Sequence, residues 1–339
     1  MQLTDILEYT KNNLMISDSF TKADSVFKKY QDQNIVCSVS GGADSDIMID
    51  ICEKLIPGKV KYVWFNTGIE YAATKEHLSY LEKRYNIIID RPSVKEPVPL
   101  SNKKYGQPFL SKYASMMIAR LQKIDFDFAN DGYKSFDELM AKYGKMKTGL
   151  RYWTNGFDQE SLQDHSRFSI GWNKYLKEFM ITNPPTFKIS DKCCNGAKKK
   201  PSSEYVKSHD VDLMLVGVRK AEGGIRSSGT AYSGCFSDTS HYGCAMYRPL
   251  YWYSSDDRKE YEKLFHIVHS RCYTEYGLIR TGCAGCPYGQ KCAEEKAIIE
   301  TFEPKLSIAI NNIFKDSYEY AEKFIQFKKE MKEKGIKAL

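Results

Sequence analysis

The string SGGADS, Ser40 to Ser45, joins the apolar, β-rich run NIVCSVS to the helix-forming run SDIMIDICEKLI. A strand that feeds a helix through two glycines, a small residue, an acid and a hydroxyl admits few folds. The glycines let the backbone approach a ligand closely, and the amide groups and positive end of the following helix can surround an anion. Ser40, Gly41, Gly42, Asp44 and Ser45 are therefore candidate phosphate-binding residues. No lysine precedes Ser45, so the loop is not of the Walker A type. The competing reading is a plain tight turn capped by Asp44 or Ser45.

The surrounding pattern extends the constraint to a fold class. VKYVWFNTG supplies a second strand, TKEHLSYLEKRY a polar helix and YNIIIDRP a third strand, which makes the βαβαβ half of a doubly wound, mostly parallel α/β sheet. The apolar run Val211 to Arg219 rejoins that sheet, and Arg219 falls just past its end, where open α/β sheets bind ligands. From Lys103 to about Pro185 the pattern loosens into amphipathic pieces such as FDELMAKYG and WNKYLKEFMI, which predicts a helical insertion. The expected organisation is a helical segment over 1–30, a nucleotide-binding α/β domain over 31–235, and a cysteine-rich and helical region over 236–339.

With 42% hydrophobic and 27% charged residues the composition is that of a folded, globular chain. No apolar run approaches the roughly 20 residues of a membrane span, and the N-terminus lacks a basic start followed by an apolar stretch, so no membrane is expected and a cytoplasmic location is. The formal charge of +7 permits a nucleic-acid partner without requiring one.

Ten cysteines in such a chain point to metal or catalysis rather than to disulfides. Cys37 and Cys52 lie in apolar segments and read as core. The other eight fall between Cys193 and Cys292. Cys193 and Cys194 are adjacent, and Cys283 and Cys286 form a CxxC; thiolates from these two segments suit a tetrahedral zinc or a cubane cluster. Cys272, Cys283, Cys286 and Cys292, spaced C-x10-C-x2-C-x5-C, form a rival set that shares the CxxC. A cysteine left outside the metal set, Cys292 first among them, is a candidate nucleophile or persulfide carrier. Cys235 and Cys244 sit in a Gly- and Ser-rich stretch that reads as a mobile loop.

These residues resemble a family. SGGADS is similar to the PP-loop of the ATP pyrophosphatases, whose fold is adenine nucleotide alpha hydrolase-like and which include sulfonucleotide reductases, tRNA thiolases and DNA phosphorothioation enzymes. VWFNTGIEY resembles the reductase turn that carries Asp-Thr-Gly; the resemblance implies nucleotide contacts for Thr67 and Gly68, with Asn66 in place of the acid. GVRKAEGGIR resembles the turn that implies anion-binding roles for Arg219 and Arg226, with Glu222 placed to orient either. RPLYWYSSDD resembles the segment that precedes the cluster cysteines. The Cys193–Cys194 pair, the basic stretch Lys198 to Lys200, Pro201 and the later CxxC resemble the [4Fe-4S] ligand set of adenylylsulfate reductases, whereas the Cys272 to Cys292 spacing resembles the phosphorothioation branch.

The assimilatory reductases carry an attacking cysteine in a C-terminal tail, and this chain has none after Cys292. The resemblance therefore implies ATP-dependent sulfur transfer, in which an acceptor is adenylylated and then thiolated, with Asp44 and Cys292 as the catalytic candidates. Its expected cofactors are a [4Fe-4S] cluster, ATP or a sulfonucleotide (adenylylsulfate or phosphoadenylylsulfate), and Mg²⁺. A nucleic-acid acceptor, a sulfur-donor protein and a homodimer are its expected partners. The alternatives are a sulfonucleotide reductase using a cysteine outside the tail, and a non-catalytic nucleotide-binding protein.

Overall fold

The computed structural model describes residues 2–160, 164–223, 234–238, 240, 242–289 and 291–336. They form two compact units, residues 1–95 with 197–284 and residues 96–196 with 285–339. These units cut across the 31–235 and 236–339 segments drawn from sequence: residues 236–284 belong with the loop and its sheet, and the last helices belong with the central insertion.

The first unit is built on a six-stranded sheet in the order β3-β2-β1-β4-β6-β5, with β1 Ile35–Ser38, β2 Lys61–Val63, β3 Ile89–Asp90, β4 Leu213–Val216, β5 Phe236–Ser237 and β6 Ala245–Tyr247. The pairs β1–β2, β1–β4, β2–β3 and β4–β6 are parallel, and only β5 runs antiparallel, on β6. This is the mostly parallel α/β sheet that the sequence implies. Strand alternation sorts the side chains: Ile35, Cys37, Leu213 and Leu215 join the large core on one face, while Val36, Val63 and Met214 pack with Phe65, Tyr205 and Val206 on the other. Burial on both faces is why these strands read as continuous apolar runs.

Helices α1 Leu3–Thr10, α2 Leu14–Lys29, α3 Ala43–Leu55 and α4 Ala72–Tyr85 belong to this unit. Phe20, Phe27, Ile47 and Ile51 bury their apolar sides in the large core. The strands β5 and β6 have no counterpart in the sequence reading. Cys244, expected on a mobile loop, is buried just before β6, and Cys235 precedes β5. Strands of two and three residues are too short to show an alternation of period two.

The second unit is helical. Phe109, Tyr152, Trp153, Phe179, Tyr320 and Phe324 fill its core, so the expected helices at Phe136–Tyr143 and Leu176–Thr182 share one apolar interior with the long helix Lys315–Glu333. Trp153 Nε1 donates to Gly132 O at 3.0 Å, and Tyr320 Oη donates to Asn183 O at 2.7 Å, so the large rings bury their bodies and still satisfy their polar tips. No helix among the described residues is long and apolar enough to cross a membrane.

Candidate nucleotide site

The order 3-2-1-4 places the switch point of the sheet between β1 and β4, and both strands end at the SGGADS loop and Arg219 respectively. Gly41 adopts φ +68°, a left-handed conformation that L side chains rarely take. At Gly42 a Cβ would stand 2.8 Å from Thr281 Oγ1 and 3.1 Å from Tyr273 Oη, so any side chain there would have to displace these hydroxyls. Gly42 caps α3: Ser45 N and Asp46 N donate to Gly42 O at 2.8 and 3.2 Å. Ser45 Oγ folds back to accept from Ser40 N at 2.9 Å and lies 2.8 Å from Ser40 Oγ. Tyr273 Oη accepts from the amides of Ala43 and Thr281, each at 3.2 Å. The amides of Gly41 and Gly42 make no hydrogen bond to the described residues, which leaves two donors at the positive end of a 13-residue helix.

Arg219 stands across the switch point and is only 7% exposed. Its Nε donates to Asp44 Oδ1 at 2.9 Å, its backbone N–H donates to Glu222 Oε2 at 3.1 Å, and its Nη1 is buried without a hydrogen-bond partner among the described residues. A buried guanidinium with one unanswered nitrogen is strongly disfavoured unless an anion completes it. Burial raises the Asp44 carboxyl above its usual range, although Arg219 opposes that shift. Asp44 thus orients the guanidinium. Arg226, the other expected anion ligand, lies outside the described residues.

A cavity of about 210 Å³ opens beside the loop, between Ser40, Trp64, Phe65, Met214, Val216 and Glu70. Its apolar walls suit a flat ring system, and Lys198, Lys199 and Ser202 add polar groups. Thr67 and Gly68 hold the turn after β2: Thr67 Oγ1 donates to Glu70 Oε1 at 2.7 Å, Gly68 has φ +89°, and Gly68 N donates to Asn66 Oδ1 at 2.9 Å. Asn66 therefore braces the turn as a short polar acceptor. Burial raises Glu70, against the pull of Lys198.

Beneath the loop lies a cluster that sequence reading missed. Asp46, fully buried in the first turn of α3, is met by His77 Nε2 at 2.9 Å and His269 Nδ1 at 2.7 Å. His269 Nε2 lies 3.1 Å from Glu262, Glu262 lies 3.0 Å from Arg258 Nε, and Arg258 reaches back to Asp44 at 3.9 Å. The one signal in the sequence is Asp46 itself, a second acid in a helix turn that should favour anions.

The cysteines are distributed over both units. In the first, Cys283 Sγ lies 3.5 Å from Thr67 Oγ1, and the buried Cys272 lies 3.7 Å from Thr74 Oγ1. In the second, Cys193 is buried on the short helix Lys192–Cys194, Cys194 and Cys286 are half-buried, and Tyr288 Oη donates to Ser190 O at 3.4 Å. Cys292 opens a helix with its Sγ 3.8 Å from Gly285 O; burial, with Glu295 adding to it, pushes its thiol up to about 11. That is the opposite of the electropositive setting of an activated thiolate. None of the ten cysteines is in a disulfide. Among the described residues no group of three His, Cys, Asp or Glu side chains that could hold a metal ion is found, and no chemical step is routed through a cluster.

Residues 34–127 match the phosphoadenosine phosphosulfate reductase domain family, a span that contains the loop, α3, β2 and the Thr67 turn. No curated protein matches the chain in sequence. Among solved structures it is similar to the phosphoadenylyl-sulfate reductase of Candida auris in its phosphate complex, at 13% identity over 74% of this chain and 81% of that one, with a TM-score of 0.39. It is also similar to the U34-tRNA thiolase of Methanococcus maripaludis with its [4Fe-4S] cluster, at 12% identity over 91% and 79%, with a TM-score of 0.38. The NH3-dependent NAD synthetase of Campylobacter jejuni gives 13% identity over 94% and 96%, with a TM-score of 0.35.

Proposed function

We propose that this chain, whose residues 34–127 carry the reductase-type domain match, is an enzyme that binds an adenine nucleotide and uses ATP to drive sulfur transfer. The observation that carries the nucleotide reading is Arg219: buried, clamped by Asp44, and left among the described residues with an unpartnered Nη1 beside the loop whose Gly41 and Gly42 amides are open. The nucleotide's ring enters the apolar cavity, and its phosphates meet the loop amides and Arg219. Asp44 and Asp46 are already held by Arg219 and by the histidines, so Mg²⁺ enters with the phosphates, whose charge it neutralises, rather than on these carboxylates.

In the reaction, an acceptor oxygen attacks the α-phosphorus of ATP and pyrophosphate leaves. A sulfide donor then attacks the activated carbon through a hydrosulfide, forming the C–S bond as the C–O bond breaks, and AMP leaves with the former acceptor oxygen. Loop and arginine stabilise charge on the phosphates during the first displacement. A nucleic acid is the proposed acceptor, supported only by the positive charge and aromatic content. A [4Fe-4S] cluster on the CxxC cysteines, with Cys193 and Cys194 or with Cys272 and Cys292, is part of the proposal on sequence grounds, and the iron and sulfide content of anaerobically purified protein tests it.

The second reading, reduction of a sulfonucleotide, has the domain match in its favour. Incubation with ATP, adenylylsulfate and phosphoadenylylsulfate separates the two. Pyrophosphate release that depends on a sulfur donor and on an acceptor supports the first; sulfite release without pyrophosphate overturns it.

A further inference from the structure

The first turn of α3 carries two acids, Asp44 and Asp46, at the helix end where phosphates are to bind. Each would repel an anion and oppose the helix dipole that attracts it. Asp44 is answered by Arg219 at 2.9 Å. Asp46 is deeper, with no exposed surface, and no lysine or arginine meets it among the described ion pairs; its partners are His77 and His269. An imidazole cancels a carboxylate's charge only when it is protonated, so the electrostatics of the phosphate site depend on a proton.

His269 is the histidine placed to hold that proton. Its Nδ1 bonds Asp46 Oδ2 at 2.7 Å, and its Nε2 lies 3.1 Å from Glu262 Oε1, so both ring nitrogens face carboxylates. The second contact is close without hydrogen-bond alignment. A neutral ring could donate to only one of the two acids; the cation serves both. Other groups near this cluster are the Tyr273 ring, 5.7 Å from His269, Tyr80, which stacks on His77 at 5.7 Å, and Tyr85, whose phenol Asp46 helps to raise. Tyr273 in turn accepts the Ala43 amide, and Arg258 links Glu262 to Asp44. The cluster therefore reaches the loop both through Tyr273 and through the Arg258–Asp44–Arg219 line. Burial alone would lower the His269 pKa; Asp46 and Glu262 outweigh it and push it up to about 9.

We propose that His269, as an imidazolium clamped between Asp46 and Glu262, is a positioning residue that neutralises the buried acid of the first turn and thereby lets the α3 terminus hold a nucleotide's phosphates. The inference rests on the nucleotide-site reading. Loss of the proton leaves an uncompensated carboxylate under the loop and weakens anion binding. Binding is then full below the ordinary histidine range and is lost as pH rises through the raised value. The device explains why an acid that opposes the site's dipole is kept buried under it.

The test is calorimetric titration with ATP from pH 7 to 10, beside NMR titration of the histidine ring protons, with the His269 signal identified by its absence in His269→Gln. In the unaltered protein the ATP affinity should fall about tenfold, as expected for one charge lost about 10 Å from the phosphates at an effective dielectric of about 20, with a midpoint that coincides with the His269 midpoint. His269→Gln should bind ATP weakly already at pH 7 and show no step. Asp46→Asn removes the carboxylate that needs the proton, so it should lower the His269 midpoint, keep the pH 7 affinity and abolish the affinity step, an outcome that a merely structural role would not produce. If His269→Gln does not fold, Glu262→Gln, which leaves Asp46 in place, should lower the His269 midpoint and carry the affinity midpoint down with it. A His269→Gln protein that keeps the affinity and its pH step overturns the inference and leaves the nucleotide site standing, as does an affinity midpoint that stays put when the imidazole midpoint moves. If the unaltered protein binds no ATP at any pH, the site reading itself falls and takes the inference with it.

Discussion

The two units bury different things. Among the described residues the sheet unit buries the ionisable side chains Asp46, Asp50, Glu70, His77, Arg219 and Arg248, whereas the helical unit buries Asp131 and otherwise fills its interior with rings such as Trp153, Phe179 and Phe324. Buried charge is expensive unless it is paired and hydrogen-bonded, while aromatic burial is favourable in itself. The two kinds of buried charge also differ in how they end. Asp131 is fully answered, by Lys134 at 2.6 Å and by Lys142 and Tyr143 at 2.5 Å each. The charges under the loop end on Arg219 Nη1, which no described residue answers. A closed set of partners marks a scaffold, and an open one marks a place that expects a ligand.

The largest effect tests the aromatic side of this contrast. Phe179 lies against Tyr320 and Phe324 with ring centroids 4.8 and 5.2 Å apart. Phe179→Ala should cost about 3 to 5 kcal/mol of stability, the usual loss for emptying a ring from a packed core, measured by urea unfolding followed in the near-ultraviolet. A loss below about 1 kcal/mol would mean that the helical unit is held by something other than its rings.

Arg219→Ala tests the other side and should move two observables. It strands a largely buried Asp44 with only the more distant Arg258, at 3.9 Å, which should destabilise the sheet unit by about 3 kcal/mol. It should also weaken ATP binding by about a hundredfold, as removal of a charged hydrogen-bond donor to phosphate does. Arg219→Lys keeps the charge but not the fork that reaches Asp44 and an anion together, and should fall between the two. Unchanged ATP binding in Arg219→Ala would erase the distinction between open and closed charge networks.

How far this contrast can be read from the chain differs between its halves. The loop, Asp44 and Arg219 are legible because each is set by neighbours in sequence: a strand, two glycines and a helix start, or a strand end followed by an arginine. The Asp46 cluster is not, because His77, Glu262 and His269 come from three separate elements and each is an unremarkable polar residue where it stands. The insertion showed helical period at FDELMAKYG, yet nothing in it marks the pairing of Phe179 with Tyr320, which spans more than a hundred residues. The unit boundary fell at Ala284, inside the CxxC, where the sequence reads as one continuous motif and the structure divides.

Asp131→Asn sharpens the comparison at moderate cost. Burial would raise this carboxyl, but the hydrogen bonds of Lys134, Lys142 and Tyr143 outweigh it and hold it well below the usual carboxylate range. Its stabilisation is therefore complete above the ordinary carboxylate pKa and is lost as pH falls toward the depressed value. Because both lysines are substantially exposed, the substitution should cost only about 2 kcal/mol at pH 7. Melting-temperature differences between the two proteins should narrow between pH 6 and about pH 2. A gap that widens on acidification would show that Asp131 is not held as a paired carboxylate.

The smallest effect is the control on which the contrast depends. Each unit has a helix opened by a serine capping box, Ser135 with Glu138 in the helical unit and Ser254 with Asp257 in the sheet unit. Local helix physics is the same in both, so Ser135→Ala and Ser254→Ala should each cost about 1 kcal/mol. Asp257 also accepts from Asn13 Nδ2 at 3.2 Å, which keeps its carboxylate in place after the serine is lost and should leave Ser254→Ala the milder of the two. Equal and modest losses in thermal unfolding would assign the difference between the units to what they bury rather than to how their helices begin; a loss of several kcal/mol in one of them would locate part of the difference at the helix ends.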